Sequence, residues 1–433
     1  MAESADSQRL ERVVRLPGAV LLGLGSIVGT GAFVSIGIAA GVAGPSVLLA
    51  IALAGLLATC NGLSSAQLAA SHPVSGGTYE YGYRYLTPTL GFTAGWMFMS
   101  AKSASAATAA LGLAGYLLEA LGLGGGSLLV AVGLLAVLAV TALVWHGTSR
   151  SNRANAVIVG LTLATLILFV VAGLPAAAEG SAANLAGVFP DRAGLPGLLE
   201  ATALMFVAYT GYGRIATLGE EVRDPERTIP RAIVVTLVVS ALLYISVGAV
   251  AVGSVGAPRL AEMTASRAAP LEDAAKVFGG PTLGRILAVG AITAMLGVLL
   301  NLILGLSRVL LAMARRGDAP RGLATIDDVR SSPAAAVIAV GVVIGLLVLI
   351  GDVKTTWSFS AFTVLVYYAL TNLAALRIPA EARLVPRWIP VAGLIGCLGL
   401  AFWVEWRVWA VGLGMIALGL AWQRVMRHLA SRS

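Results

Sequence analysis

The chain is short of charge, of cysteine and of histidine, and each shortage closes off a class of explanation. Only 12% of its 433 residues are Asp, Glu, Lys or Arg, about half the share found in soluble globular proteins. Such a chain lacks the solvated groups to cover a folded surface, which excludes a soluble enzyme. Its 58% hydrophobic content equally excludes a disordered or fibrous protein. The 52 glycines follow no G-X-Y period, so collagen is excluded as well. The two cysteines, Cys60 and Cys397, both fall in apolar runs; they read as buried free thiols, with a disulfide between them left open. His72, His146 and His428 stand far apart and without metal-ligand spacing, so no metal and no cofactor is expected. No clustered nucleophile is visible either, and the chain does not read as an enzyme.

What is present is apolar sequence in blocks of about 20 residues, the length that crosses a hydrocarbon core as helix. Twelve candidate spans are predicted at 17–40, 45–69, 90–118, 127–145, 154–174, 196–213, 229–252, 284–306, 333–350, 355–376, 388–404 and 406–422. The fold class is therefore all-α integral membrane. The first span follows a polar, basic tail (1–16) with no cleavage site, and reads as a membrane helix, not as a signal peptide. With the N-terminus inside, 21 of the 29 Lys and Arg residues fall on the cytoplasmic side and seven outside, with Lys102 inside a span. That bias is the positive-inside signature and sets both termini in the cytoplasm of a plasma or inner membrane. The net charge of +8 thus serves orientation and contact with anionic lipid, and no nucleic-acid partner is expected. Trp388, Trp403, Trp406, Trp409 and Trp422 gather near the ends of the last two spans, as an interfacial aromatic belt does.

Two spans carry signs of interruption. Span 1 holds Gly23, Gly25, Gly29 and Gly31 within nine residues, each weakening helix by about 1 kcal/mol relative to Ala. Span 6 contains Val207-Ala-Tyr-Thr-Gly-Tyr-Gly213. A single glycine-rich span reads as close packing. Two of them, each the first of five successive spans, match the way an inverted repeat marks its binding site. A broken helix offers free N–H groups on one side of the break and free C=O groups on the other, at dipole ends of opposite sign. That pair suits a zwitterion with its carboxylate and ammonium a few ångströms apart.

The motifs around these breaks resemble those of the APC (amino acid–polyamine–organocation) family. Gly25-Ser-Ile-Val-Gly-Thr-Gly-Ala-Phe33 is similar to its span-1 signature, and Pro73-Val-Ser-Gly-Gly-Thr-Tyr-Glu-Tyr81 to the loop after span 2. Phe206-Val-Ala-Tyr-Thr-Gly-Tyr212 with Glu220–Arg231 resembles span 6 and its exit, and Ser307–Pro320 the exit of span 8. The resemblance implies a LeuT-type fold: a first five-helix repeat (17–195), a second, inverted one (196–376), and two further helices with a tail (377–433). It implies secondary transport of an amino acid by alternating access, as a proton-coupled carrier or an exchanger, with the proton preferred to sodium. A polyamine or amine carrier of the same fold, or a transport-silent amino-acid sensor, are the alternatives. Carried over by position, the substrate carboxylate would meet N–H groups around Gly29, Thr30 and Gly31, and the amine the carbonyls of Ile27, Val207, Ala208 and Thr210. There are departures from the family pattern. Gln67 stands where many members have Glu, Val207 where many have a second aromatic, which leaves room for a larger substrate side chain or passes the gating to Phe206, and Gly213 where an acid often follows. Thr162 stands where several proton-coupled members have a span-5 lysine.

Lys102 is the basic residue inside a span, about 13 residues from its start, too deep to reach water easily. It is the coupling candidate, replacing the missing span-5 lysine between spans 1, 3 and 8; pairing with an acidic substrate is the rival role. Ser103, Ser105 and Thr108 lie within two turns of it, though such residues more often bond to their own helix backbone. In the dense charge run Glu220–Arg231, Glu220 and Glu221 are candidates for a gate with Arg84 or Arg308. Tyr367 and Tyr368 in span 10 read as packing or gate residues.

Overall fold

The computed structural model describes residues 14–72, 76–124, 126–146, 152–216, 222–326 and 333–430. Helix α1 (Leu16–Ile27) ends at a short link, after which a π-turn (Gly31–Ser35) runs into α2 (Ile36–Ala43). There follow α3 (Val47–Ser71), the short α4 (Thr78–Tyr85), α5 (Pro88–Ala120), α6 (Ser127–Trp145) and α7 (Asn152–Asn184). Helix α8 (Leu195–Tyr209) passes through a 3-10 turn (Thr210–Tyr212) into the single turn α9 (Gly213–Ala216). The remainder is α10 (Pro225–Val255), α11 (Ala257–Arg267), α12 (Pro270–Arg316), α13 (Ala334–Val348), α14 (Val353–Ala375), α15 (Trp388–Ala401) and α16 (Trp406–Ala430). The β pairing seen among the described residues is one isolated bridge, Val14 to Val222.

Each of the twelve predicted spans falls on helix. Seven continuous helical segments are long and apolar enough to cross a membrane, and α1, α13 and α15 are shorter apolar helices. The two predicted interruptions are real. Span 1 is α1 and α2 separated at Val28–Thr30, and span 6 loses its regular helix at Thr210. One connection is more ordered than the sequence suggested. Residues 257–279 form a helical hairpin of α11 and the first ten residues of α12. It is set apart from the span that follows by Gly280, whose φ of 74° is open to glycine at no steric cost.

Burial sorts the helices into an inner and an outer set. Residues 101–116 of α5 are buried at every position, the pattern of a helix surrounded by others; it packs against α12 and α14. Small side chains make this possible, since Ala and Gly let neighbouring backbones approach closely where dispersion, and not exclusion of water, drives helix association. By contrast α6 buries one stripe, Leu129, Gly133, Val137, Val140 and Val144, at three- and four-residue spacing. Its other face exposes Leu135 and Leu138, as a lipid-facing helix does.

The bundle has two ends. At the near end Arg223 N–H donates to Val14 O and Gln423 Nε2 to Pro88 O. The hairpin 257–279 crosses the opposite, far end, seated against α2 and α5: a Cβ on Gly37 would lie 2.0 Å from Thr264 Oγ1, and one on Gly115 2.1 Å from Arg267 O. Cys60 and Cys397 are both free thiols.

Candidate functional site

The two helix breaks lie against each other at the centre of the bundle. A Cβ added to Gly211 would sit 2.1 Å from Ser26 O and 2.7 Å from Ile27 N, inside the backbone of α1. On the other side of the contact, a Cβ added to Gly31 would meet Ala208 Cβ at 2.7 Å. Glycine fits both places because a Cβ at 211 would enter the backbone of α1 and one at 31 would press on Ala208 and the Tyr244 hydroxyl, which explains the residue type that marked these spans. The C=O of Gly29 accepts from Ala32 N and Phe33 N, the i→i+3 and i→i+4 bonds that open the second half of the span. The N–H groups just before them head a helix segment with no preceding turn. Thr30 is buried here and its hydroxyl has no hydrogen-bond partner.

Helix α10 supplies a residue that ties the two breaks together. Tyr244 Oη lies 2.8 Å from Ile27 O and 3.2 Å from Ala208 O, and donates between the two carbonyls. Thr210 Oγ1 donates to Val207 O at 2.8 Å, and Tyr368 Oη donates to Thr210 O at 3.3 Å. Thus all four carbonyls expected to face an amine, those of Ile27, Val207, Ala208 and Thr210, converge on one region and already carry hydroxyl donors. Val207 O also accepts the backbone N–H of Thr210, so both of its lone pairs are engaged. Phe206 and Val207 are both buried; the Phe206 ring stands edge-on to Tyr368, with centroids 5.6 Å apart.

Lys102 comes to the same place from α5. It is 8% exposed, and its ammonium donates to Thr210 Oγ1 at 2.7 Å. Its hydrogen bond therefore goes to span 6, whereas the sequence suggested a place between spans 1, 3 and 8. Among the described residues no carboxylate forms a salt bridge with it. Thr162, at the place of the family's span-5 lysine, bonds to Ile158 O on its own helix.

Below Lys102 the polar residues of α5 do more than back-bond. Ser105 Oγ pairs with Ser360 Oγ at 2.7 Å and Thr108 Oγ1 with Thr356 Oγ1 at 2.8 Å, while Ser360 also donates to Ala101 O. These bonds pin α5 to α14, and Trp357 Nε1 pins α14 to Leu204 O of α8. Tyr244, Thr356, Trp357 and Ser360 are absent from the residues the sequence singled out. A signal for α14 was present: Thr356, Ser360, Thr363, Tyr367 and Thr371 repeat every three or four residues along one face.

Of the residues expected to form a near-end gate, the described structure includes the two arginines. Glu220 and Glu221 lie outside the described residues, and Arg84 and Arg308 are exposed. A different cluster occupies that end: Asp318 Oδ2 accepts from Tyr79 Oη at 2.7 Å and from Tyr83 Oη, and Arg316 pairs with Glu80. Tyr367 receives the N–H of Thr78 at 3.3 Å. Gln67 is buried beside Arg227 and Arg231, in a cleft of about 240 Å³ between α3 and α10. A cavity of about 900 Å³ lies at the side of the bundle between α5, α12, α13, α14 and α16, away from the broken helices, and its walls are mainly apolar. Trp388, Trp403 and Trp406 are exposed as a belt requires, but the indole of Trp422 donates to Asp318 O.

Comparison with known proteins meets this architecture from the outside. A family model described as amino acid permease matches residues 18–429. An uncharacterized transporter of Mycobacterium tuberculosis is 41% identical over 424 residues, covering 98% of this chain and 93% of that protein. The branched-chain amino acid permease BcaP of Bacillus subtilis is 26% identical over 446 residues, with coverage of 99% and 92%. Among solved structures, MhsT in complex with L-phenylalanine matches with a TM-score of 0.66 at 19% identity, over 92% of this chain and 100% of that one. This last is a likeness of fold. The chain belongs to the amino acid permease family, and it is a multi-pass membrane protein with a LeuT-type fold.

Proposed function

We propose that the protein is a secondary active transporter that carries an amino acid by alternating access, with its substrate held at the apposed breaks of α1 and α8. The observation that carries this reading is the convergence, on one buried spot, of the start of a half-helix at Gly29–Gly31 with the carbonyls of Ile27, Val207, Ala208 and Thr210. The N–H groups of Gly29, Thr30 and Gly31, with the unpartnered Thr30 hydroxyl, would take the carboxylate; the positive dipole end favours it. The carbonyls would take the ammonium. Two five-helix repeats, 17–195 and 196–376, would rock about this point, with both termini in the cytoplasm.

The substrate class this favours is a neutral, apolar amino acid. Phe206, Val207 and Tyr368 supply apolar surface, and Lys102 already brings a cation to the site, which disfavours a cationic side chain or a polyamine. BcaP is named for branched-chain amino acids and MhsT is seen with L-phenylalanine, and both are consistent with this choice. Lys102 is the proposed coupling group, for a proton and not for sodium. The test is a thermal-shift screen of purified protein against the amino acids, at two pH values, with and without sodium. Ligand stabilises by RT ln(1 + [L]/Kd). Apolar amino acids should raise the melting temperature independently of sodium; a response to no amino acid would defeat the reading.

A further inference from the structure

The hairpin across the far end encloses a cluster of charges that does not balance. Lys276 Nζ donates to Glu119 Oε1 at 2.5 Å, and lies 3.0 Å from Glu272 Oε1 and 3.6 Å from Asp273 Oδ1. Arg267 pairs with the other oxygen of Glu119. Three carboxylates therefore share two cations. Arg267 is half exposed and serves Glu119, so the deficit falls on the others. Of these, the Glu272 side chain is 0% exposed, and neither of its oxygens receives an aligned hydrogen bond. A fully buried carboxylate whose cationic neighbour, Lys276, is shared with Glu119 and Asp273 is costly as an anion, and a proton removes that cost.

The groups that face Glu272 come from several elements. Tyr116 and Glu119 are on α5, Arg267 is on α11, and Asp273 and Lys276 are on its own helix. Helix α2 meets the hairpin through Gly37, and α7 through Phe169 and Gly173 against Phe278, none of which titrates. The neighbouring residue leads to the broken span. Leu271 N–H donates to Tyr116 Oη at 3.2 Å, and Tyr116 Oη donates to Phe33 O at 2.8 Å, inside the π-turn that follows Gly31.

We infer that Glu272 is a proton-binding site, and that its protonation docks the hairpin on α5 and closes the far end over the π-turn of span 1. This deepens the proton-coupled reading given above and rests on it for the use the transporter makes of the proton. Glu272 stands in the hairpin, outside the spans, where burial pushes its carboxyl from 4.5 up to about 7. A raised acid pKa means that the docked state holds the proton more tightly than the undocked state. Docking is then fully supported below about 4.5 and weakens as pH rises through about 7. Proton uptake and far-end closure become one event, which is what coupling at that end requires.

Hydrogen–deuterium exchange of the full chain in lipid nanodiscs, over peptides spanning 257–279 and corrected for the intrinsic pH dependence of exchange, tests this without substrate. Wild-type protection should fall at least tenfold between pH 6 and pH 8, and Glu272→Gln should keep high protection throughout. Asp273→Asn removes a repelling charge and should move the midpoint to lower pH. Flat protection in the wild type, an unchanged midpoint in Asp273→Asn, or a Glu272→Gln protein that titrates like the wild type would each overturn the inference. A thermal shift with amino acids alongside a flat hairpin profile defeats this inference alone. A titrating hairpin with no response to any amino acid defeats the substrate assignment and leaves the proton site standing.

Discussion

The ammonium of Lys102 on α5 donates 2.7 Å to the hydroxyl of Thr210, which in turn donates to Val207 O in the break of α8. One hydroxyl thus receives a buried cation and passes a hydrogen bond to a carbonyl at the proposed substrate position. A lysine at this depth is costly to insert, by about 2.5–3.5 kcal/mol, and replacing a buried charge by an apolar side chain of similar volume is often neutral or stabilising. Lys102→Met should therefore leave the melting temperature equal to or above that of wild type, while uptake into proteoliposomes falls at least tenfold and its pH profile changes. Uptake and pH profile unchanged in that variant would remove Lys102 from both coupling and substrate contact.

Tyr244 bridges Ile27 O and Ala208 O with one hydroxyl, so it holds the two breaks in register from α10. Tyr244→Phe keeps the ring among its neighbours and removes only the donor. Leaving buried carbonyls short of a partner costs about 1–3 kcal/mol. We expect a lower melting temperature together with weaker amino-acid binding in the thermal-shift assay. A variant that binds as well as wild type would show that the bridge plays no part in shaping the site.

The contact between Gly211 and Ser26 is closer still. A methyl group at 211 would require the two backbones to part, since the atoms it meets are Ser26 O, Ser26 C and Ile27 N. Overpacking of this kind costs about 1–3 kcal/mol when side chains can yield, and here none is available to do so. Gly211→Ala should abolish measurable binding, whereas Gly414→Ala, where a Cβ meets nothing within 4 Å, should be silent. Equal behaviour of the two variants would contradict the apposition of the breaks.

Much of this is legible in the amino-acid sequence. Twelve apolar blocks separated by polar turns announce membrane helices because the length of each block is set by the bilayer, not by its neighbours. The breaks were readable for a related reason: Gly211 lies against the backbone of Ser26 and Ile27, and Gly29 and Gly31 against Val298 and Ala208, and approaches this close leave a residue type behind. What could not be read was which side chains reach across. Tyr244 looks like any aromatic in α10, and its role depends on the angle at which that helix passes α1. Lys102 was visible as a buried charge, but its partner on Thr210 is set by how α5 and α8 pack. Glu272 was hidden most deeply, since it sits in a segment that reads as a loop, and its burial comes from the hairpin seating on Gly37 and Gly115.

At the near end Asp318 is tied to two tyrosines, which allows two kinds of interaction to be compared in one place. Tyr79 and Tyr83 both donate to Asp318 Oδ2, and Asp318 is 3% exposed. Arg316 lies over the same two rings, 5.5 Å and 4.2 Å from their centroids, and pairs with the more open Glu80. Hydrogen bonds to a buried carboxylate are worth about 1.5–3 kcal/mol, and removing the acceptor leaves the donors unpaired as well. Exposed ion pairs contribute about 0–1 kcal/mol. Asp318→Ala should therefore lower the melting temperature much more than Glu80→Gln does. The Asp318→Ala, Tyr79→Phe double mutant should lose less than the sum of the single changes, because both remove the same bond. Additive losses would mean that the Tyr79–Asp318 bond contributes nothing of its own, and a Glu80→Gln effect as large as that of Asp318→Ala would shift the weight of the near-end closure to the ion pair.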